Sequence, residues 1–234
     1  MKILVTCGAT REPIDPVRFI SNYSTGYLGC EIAREAKKRG HRVILISGPI
    51  ISARPKQVGI IDVQTGRQME QRLKAKFNWC DCLIMAAAVC DFRPQKVARK
   101  KIKRSRRERL NLTLIQNPDI LKNIGLRKNG KMLVGFALET ENLEENAWDK
   151  LRQKNLDLIV AIRLKKDSCP FGQVKMDSLM IDKEGHKQRI IQTTKRRLAR
   201  ILLDKIERWR RTQVERERSA KPLFSGSNPL AAYK

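Results

Sequence analysis

The segment that decides the fold is KILVTCGATREPIDPVRFISNYSTGYLG, residues 2–29. Its first part, KILVTC, is mostly apolar and β-branched, which predicts a buried strand. A helical pattern begins only with LGCEIAREAKKRG, in which apolar residues recur at Ile32, Ala33 and Ala36 before Gly40 ends the helix. A polar loop with two prolines and two arginines separates the strand from the helix. A dinucleotide-binding fold would have a short glycine turn there. The length and polarity of this loop therefore indicate a different kind of ligand site.

Strand and helix patterns alternate along most of the chain. We predict strands at HRVILISG, CLIMAAAV, MLVGFAL and LDLIVAI, with helices at GRQMEQRLKAKF and ENLEENAWDKLRQKN. CLIMAAAV is a continuous apolar run, which is typical of a strand buried on both faces. The alternation predicts an α/β fold, Rossmann-like and doubly wound, around a mostly parallel sheet. After Asp167, the sequence predicts a small strand pair around a Glu-Gly turn and then a C-terminal helix.

The length and composition indicate one domain. The chain has 234 residues, of which 41% are hydrophobic, and we assign residues 1–212 to the domain and 213–234 to a disordered polar and basic tail. Because no apolar run reaches about 18 residues and the first residues do not form a signal peptide, we expect no membrane span and a cytoplasmic location. The six cysteines lack the spacing of zinc sites, so we interpret them as buried reduced thiols.

The formal net charge of +26 indicates anionic partners. Polyphosphate ligands fit this charge, and a basic nucleic-acid-binding protein on an α/β fold stays open as the alternative of another class. The sequence contains no recognition motif for nucleic acid and no RNP-like aromatic residues, so we do not expect that partner. A nicotinamide-dependent dehydrogenase is disfavoured, because the GxGxxG motif is missing and no acidic residue ends HRVILISG.

Ligands of an open parallel sheet bind beyond the carboxyl ends of its strands, so the residues that follow each strand are the site candidates. Gly8 would let the backbone approach a phosphate, and Ser24 and Gly26 precede a helix N-terminus that favours anions. An ordinary helix cap is an equally open interpretation of Ser24. After CLIMAAAV, Asp91 would suit a ribose hydroxyl or a metal, or would simply be solvated in a turn.

Three later segments add cationic and aromatic candidates. The chain is basic almost without interruption from Lys96 to Arg109, which indicates a mobile loop that closes over a triphosphate, or else a solvated or nucleic-acid-binding segment. NPDIL, residues 117–121, opens a short helix that could present backbone groups to a base. Phe136 is a candidate stacking ring, and Lys150 and Lys154 share a helix face. Singly, however, such residues are more often core or solvated surface.

The combination of GATREPIDPVRFISNYSTG, AAAVCDFRP, KIKR, NPDIL, VGFALET and KLRQKNLDLIVA resembles phosphopantothenoylcysteine synthetase in its bacterial CTP-dependent form, up to about Trp209. The resemblance implies a ligase that joins 4'-phosphopantothenate and L-cysteine into 4'-phosphopantothenoylcysteine. CTP would form an acyl-cytidylate and release pyrophosphate, and cysteine would then displace CMP.

The same reaction with ATP is the alternative, because eukaryotic relatives use that nucleotide. A homodimer and Mg²⁺ on the triphosphate are also implied. Because the synthetase motif starts at Met1, we expect a stand-alone form, with a separate phosphopantothenoylcysteine decarboxylase as a candidate partner.

The resemblance also implies roles for individual residues. Asn22 would contact the acyl-cytidylate and support its conversion with cysteine, and Arg18 would act in the same half-reaction. Lys101, on the mobile loop, would contact the nucleotide and stabilise charge at its α-phosphate. No metal ligand is assigned. The other residues that would contact CTP are Asp91, Pro118, Asp119, Ile120, Leu121, Phe136, Lys150 and Lys154.

Five positions depart from the family pattern. Ala9 replaces a glycine, Thr25 a serine, and Arg104 a lysine, which preserves charge but not shape. Ile162 and Met176 replace asparagines in the part associated with dimer contacts and the substrate-side lid. These last two changes affect the expected details of the substrate pocket rather than nucleotide binding.

Overall fold

A computed structural model describes residues 1–104, 109–164 and 171–219. The strands are β1 Lys2–Cys7, β2 Arg11–Pro13, β3 Phe19–Ser21, β4 Arg42–Ser47, β5 Gly59–Asp62, β6 Cys82–Met85, β7 Phe92–Pro94, β8 Leu114–Gln116, β9 Met132–Glu139, β10 Leu158–Arg163, β11 Lys175–Asp182 and β12 Lys187–Thr194. The helices are α1 Tyr27–Lys38, α2 Gly66–Phe77, α3 Ile120–Gly125, α4 Leu143–Gln153 and α5 Lys195–Ser219.

In the described part of the chain, eight strands form one sheet in the order β12-β11-β10-β9-β6-β1-β4-β5. The six strands from β10 to β5 in this order are parallel, and β11 and β12 add an antiparallel pair at one edge. The sheet confirms the predicted α/β doubly wound fold with a small C-terminal strand pair and helix. Two two-stranded hairpins, β2–β3 and β7–β8, lie outside this sheet.

Both faces of the sheet are buried under helices. Successive residues of a strand point to opposite faces, so each strand contributes to two apolar clusters. On β1, Ile3, Val5 and Cys7 face one apolar cluster that includes α1 and α5. Leu4 faces the other cluster, to which α2, α3 and α4 contribute. The continuous apolar run at β6 follows from this arrangement, since every residue from Cys82 to Met85 is buried.

Two regions differ from the sequence prediction. The polar loop after β1 contains the hairpin β2–β3, in which Arg11 pairs with Ser21. Helix α5 continues to Ser219, so the predicted domain boundary at residue 212 falls inside a helix. Residues 220–234 of the predicted tail lie outside the described residues.

The five cysteines within the described residues are free and buried, as we interpreted them: Cys7, Cys30, Cys80, Cys82 and Cys90. Cys169 lies outside the described residues. No helix in the described part of the chain is long and apolar enough to cross a membrane.

Helix α1 and strand β1 approach each other closely at Gly29. A Cβ atom at this position would lie 2.4 Å from the Cβ of Cys7 and 2.8 Å from the carbonyl oxygen of Thr6. Contacts this short require the helix or the strand to shift. Only glycine therefore lets the start of α1 rest on the end of β1.

Gly29→Ala should lower the free energy of unfolding by about 1 to 3 kcal/mol, because the added methyl group overpacks this contact. The measurement is urea unfolding followed by circular dichroism. Gly59→Ala is the matched control, since its nearest contacts are at 3.7 Å, and it should change stability far less. Equal effects of the two substitutions would contradict the tight packing described for Gly29.

Candidate active site

The backbones that follow β1 and β6 stay joined beyond the sheet. The Ala88 N–H donates to the Gly8 carbonyl at 2.8 Å, and the Thr10 N–H donates to the Ala88 carbonyl at 3.1 Å. The Asn22 side-chain amide also donates to the Ala88 carbonyl, at 3.2 Å. Two predicted site residues, Gly8 and Asn22, therefore meet at one residue beyond the carboxyl ends of the central strands.

Glycines shape the start of α1. Gly8 and Gly26 have φ values of +79° and +77°, and a Cβ atom on Gly26 would lie 2.2 Å from Cγ2 of Ile50 and 3.2 Å from the Gly8 nitrogen. Gly26 is the N-cap and makes no side-chain capping bond. Ser24 instead accepts a hydrogen bond from the Gly26 N–H at 3.4 Å, so it is not the helix cap. The positive end of the helix dipole thus lies beside Gly8.

Arg18 is held by an acid that the sequence analysis missed. The Arg18 Nε donates to Oδ2 of Asp15 at 3.0 Å, and its Nη2 donates to the Ile102 carbonyl at 2.7 Å. The structure therefore brings Arg18 next to the segment that contains Lys101. The Lys101 side chain is exposed. The signal for Asp15 was present in the sequence, because Asp before Pro favours a turn closed by the aspartate side chain.

Asp15 is charged at neutral pH. The Arg18 guanidinium beside it, together with the N–H groups of Ile102, Val17 and Arg18, holds the pKa of the Asp15 carboxyl well below its usual range, although burial opposes this. The ion pair of Asp15 and Arg18 is therefore charged on both sides at neutral pH.

Asp91 lies beside the NPDIL segment, as the predicted site requires. The Asn117 N–H donates to the Asp91 carbonyl at 2.7 Å, and the Asn117 side chain donates to the Cys90 carbonyl at 2.8 Å. The side chain of Asp91 is exposed. Pro118 follows at the entrance of α3.

Asp119 and the two residues after it have different surroundings. Asp119 caps α3 by accepting the Lys122 N–H at 3.0 Å, and it is about two-fifths exposed. Ile120 and Leu121 are buried in the core. A ligand contact by these two residues would therefore have to use their backbone.

The two predicted lysines, Lys150 in α4 and Lys154 at its C-cap, each contact an acid. Lys154 lies 3.0 Å from the Asp119 carboxylate, which joins it to the NPDIL segment. Lys150 forms an ion pair with Glu139 at the end of β9, and Asn146 also donates to Glu139, at 3.0 Å. Glu139 was not predicted, although its place at the end of a central strand could have suggested it.

Phe136 lies away from these lysines. It is half-buried and contacts the apolar cluster of α1 and α5, whereas α4 lies on the opposite face of the sheet. The structure therefore separates Phe136 from Lys150 and Lys154 by the thickness of β9. Ile162 and Met176, the two departures from the family pattern, are also buried in the Phe136 cluster. Their side chains are core residues rather than exposed pocket residues.

Cys90 is a thiol that contacts this loop cluster. Its Sγ contacts the carbonyls of Thr10 and Ile20 at 3.6 and 3.9 Å. Burial raises the pKa of the Cys90 thiol, which keeps it protonated. This thiol is not an activated nucleophile.

The fold is that of an α/β protein, and the loop cluster lies beyond the carboxyl ends of its parallel strands, where open sheets of this class bind their ligands. The family described as "DNA/pantothenate metabolism flavoprotein C-terminal domain" matches residues 1–209. The chain belongs to this family, which confirms the family resemblance found in the sequence.

Two curated relatives with different names illustrate the similarity. A "Cysteine/Cysteine sulfinic acid decarboxylase" from an unknown prokaryotic organism is 39% identical over 208 residues, which cover 88% of this chain and 57% of that protein. The "Coenzyme A biosynthesis bifunctional protein CoaBC" of Bacillus subtilis is 41% identical over 189 residues, which cover 80% of this chain and 46% of that protein. The chain thus spans about half the length of these relatives.

A solved structure extends the similarity to the fold. The crystal structure of the C-terminal domain of a coenzyme A biosynthesis bifunctional protein CoaBC is 36% identical to this chain, with a TM-score of 0.76. The match covers 90% of this chain and 96% of that one.

The ion pair of Asp15 and Arg18 should make stability depend on pH in the acid range. Because the folded pKa of Asp15 is depressed, its contribution is present above its unfolded value of about 3.9 and is lost as the pH falls below that value. Asp15→Asn should therefore unfold at lower urea concentration than the wild type from pH 5 to 7, and the difference should narrow below about pH 4. A difference that stays constant from pH 7 to 3 would contradict this assignment.

Proposed function

We propose that this chain is a phosphopantothenate–cysteine ligase that acts through an acyl-cytidylate and converts CTP to CMP and pyrophosphate. One observation carries the proposal. Gly8, Asn22 and the N-terminus of α1 meet beyond β1 and β6, and Arg18 lies in the same loop as Asn22. Family membership and relatives named for coenzyme A biosynthesis support this function.

The chemistry requires cations and helix ends near one carboxylate. A carboxylate is a poor electrophile, and transfer to a nucleotide α-phosphate gives it a good leaving group. Both reactants are anions, so the site has to hold them together against their repulsion. Gly8 and Gly26 allow the start of α1 to pack closely against the end of β1. The positive end of α1 would then attract phosphate, and Lys101 would neutralise charge on the α-phosphate.

Mg²⁺ would bind the triphosphate and neutralise part of its charge. The described residues contain no group of three or more His, Cys, Asp or Glu side chains that could hold a metal. Mg²⁺ bound mainly by phosphate oxygens and water would need no such group, and the exposed Asp91 carboxylate is a candidate ligand from the protein.

The second half-reaction would use the loop between β1 and α1. Asn22 would hold the acyl group in the orientation that the cysteine amine attacks, and Arg18 would stabilise the charge that develops there. The amine displaces CMP from the acyl carbon, so the new bond is an amide. Arg18 lies in the turn of the hairpin β2–β3 and Asn22 directly follows β3, so this hairpin would carry both side chains toward the acyl group.

CTP is the proposed nucleotide because NPDIL and KIKR match the CTP-type pattern. The NPDIL segment contacts Asp91 through Asn117 and Lys154 through Asp119, so these elements can act together around a base and its phosphates. ATP is the alternative nucleotide. Phe136 packs on the face of the sheet opposite α4. A contact between Phe136 and the nucleotide would therefore have to form on that face, away from Lys150 and Lys154.

The proposal includes a homodimer, a cytoplasmic location and a separate decarboxylase that consumes the product.

A basic nucleic-acid-binding protein is the second candidate function, and the net charge of +26 favours it. Steeply salt-dependent RNA binding, without CTP-dependent release of pyrophosphate, would replace the ligase with this candidate.

The purified chain should release pyrophosphate only when CTP, 4'-phosphopantothenate and cysteine are present together, with much lower turnover when ATP replaces CTP. Asn22→Asp and Lys101→Gln should each reduce kcat by about 10²-fold or more, because each removes a positioned donor. Coupled detection of pyrophosphate measures both effects.

Two matched variants control for general damage. Asn78→Asp changes an exposed asparagine at the opposite, amino-terminal side of β6, and Lys187→Gln changes a lysine that pairs with Glu144 on the surface. Both should keep wild-type turnover. Equal turnover with ATP and CTP would reject the nucleotide assignment, and full activity of Asn22→Asp would reject the site.

A further inference from the structure

Asp15 is a buried acid in an otherwise exposed turn. It lies between β2 and β3, and its side chain is 0% exposed, whereas Pro16 and Val17 beside it are exposed. Burying a carboxylate is unfavourable unless donors surround it. The arrangement of those donors shows what this residue does.

The two oxygens of Asp15 have different partners. Oδ1 accepts the N–H groups of Val17 and Arg18, both at 2.8 Å, and so closes the local turn. Oδ2 accepts the Arg18 guanidinium, with Nε at 3.0 Å, and also the Ile102 N–H at 3.0 Å. One oxygen therefore shapes the loop, and the other joins two segments that are far apart in the sequence.

Ile102 is bound through both of its backbone groups. Its N–H donates to Asp15, and its carbonyl accepts from Arg18 Nη2 at 2.7 Å. A second link between the same segments runs from the Ala98 N–H to the Ile14 carbonyl at 2.9 Å. Lys101 directly precedes Ile102, so these bonds determine where the Lys101 backbone lies relative to Arg18.

We propose that Asp15 is a positioning residue that holds Arg18 and the Lys101 segment in one arrangement around the reacting acyl-cytidylate. This inference rests on the proposed ligase function. With Nε and Nη2 engaged, the guanidinium has one orientation and can offer Nη1 to a ligand. The negative charge of Asp15 also offsets the repulsion between the cation of Arg18 and those of the basic segment.

Asp15→Asn tests this role, because it keeps the shape and removes the charge. We expect kcat to fall by about 10²-fold with a smaller change in KM, since misplaced catalytic groups mainly affect the reaction step. Hydrogen exchange followed by mass spectrometry should show faster exchange in the peptide that contains Ile102. Circular dichroism at the assay temperature establishes that the variant is folded.

Asp182→Asn is the matched control. Like Asp15, Asp182 accepts a turn N–H, from His186 at 2.9 Å, and pairs with a cation, Lys205 at 2.9 Å. Unlike Asp15, it lies away from the candidate site, at the end of β11 that pairs with the start of β10. It should leave both turnover and Ile102 exchange unchanged. The same losses in both variants would mean a general effect of removing a turn acid, and would overturn the proposal.

A double-mutant cycle separates positioning from an independent effect. If Asp15 acts through Arg18 and Ile102, Asp15→Asn should cost much less in an Arg18→Gln background than in the wild type. Additive losses, or wild-type kcat in Asp15→Asn, would overturn the proposal. If the wild-type chain releases no pyrophosphate, the proposed function fails instead, and unchanged exchange at Ile102 would still show that Asp15 does not hold that segment.

Discussion

The structure depends on how closely α1 approaches the end of β1. Gly29 permits the contact with Cys7, while Gly8 and Gly26 take positive φ values within a few ångströms of each other. A Cβ atom at any of these positions would collide with neighbouring atoms. This one approach aligns the helix dipole with the carboxyl edge of the sheet, and the loop between β1 and α1 has to fold outward over that edge.

The loops of the site are held by bonds to one another rather than by the apolar core. The Ala88 carbonyl joins Thr10 and Asn22, and the Asp15 carboxylate joins Arg18 and Ile102. Such bonds cross between segments and orient polar side chains that packing alone would leave free. Three of the cations proposed to bind the ligand are paired with carboxylates: Arg18 with Asp15, Lys150 with Glu139 and Lys154 with Asp119. A triphosphate bound as proposed would compete with these carboxylates.

Much of the fold followed from sequence patterns. The central strands were predictable because CLIMAAAV is apolar throughout and is buried on both faces, and the strand pair of β11 and β12 was predictable from its Glu-Gly turn. The extent of α5 was not, because its last turns are polar and carry no burial signal. Among the site residues, Asp15 and Glu139 were missed, since their significance lies in the partners they meet in space.

The sequence by itself determined the order of the main-sheet strands and of the helices, the glycines at the start of α1 and the family to which the chain belongs, because periodicity and turn chemistry act between near neighbours. Only the tertiary structure decided which predicted residues share a surface. It placed Arg18 against Ile102, 84 positions later, and it put Phe136 on the opposite face of the sheet from Lys150. Hydrogen bonds across such separations depend on where the sheet brings the loops, and no local pattern encodes them.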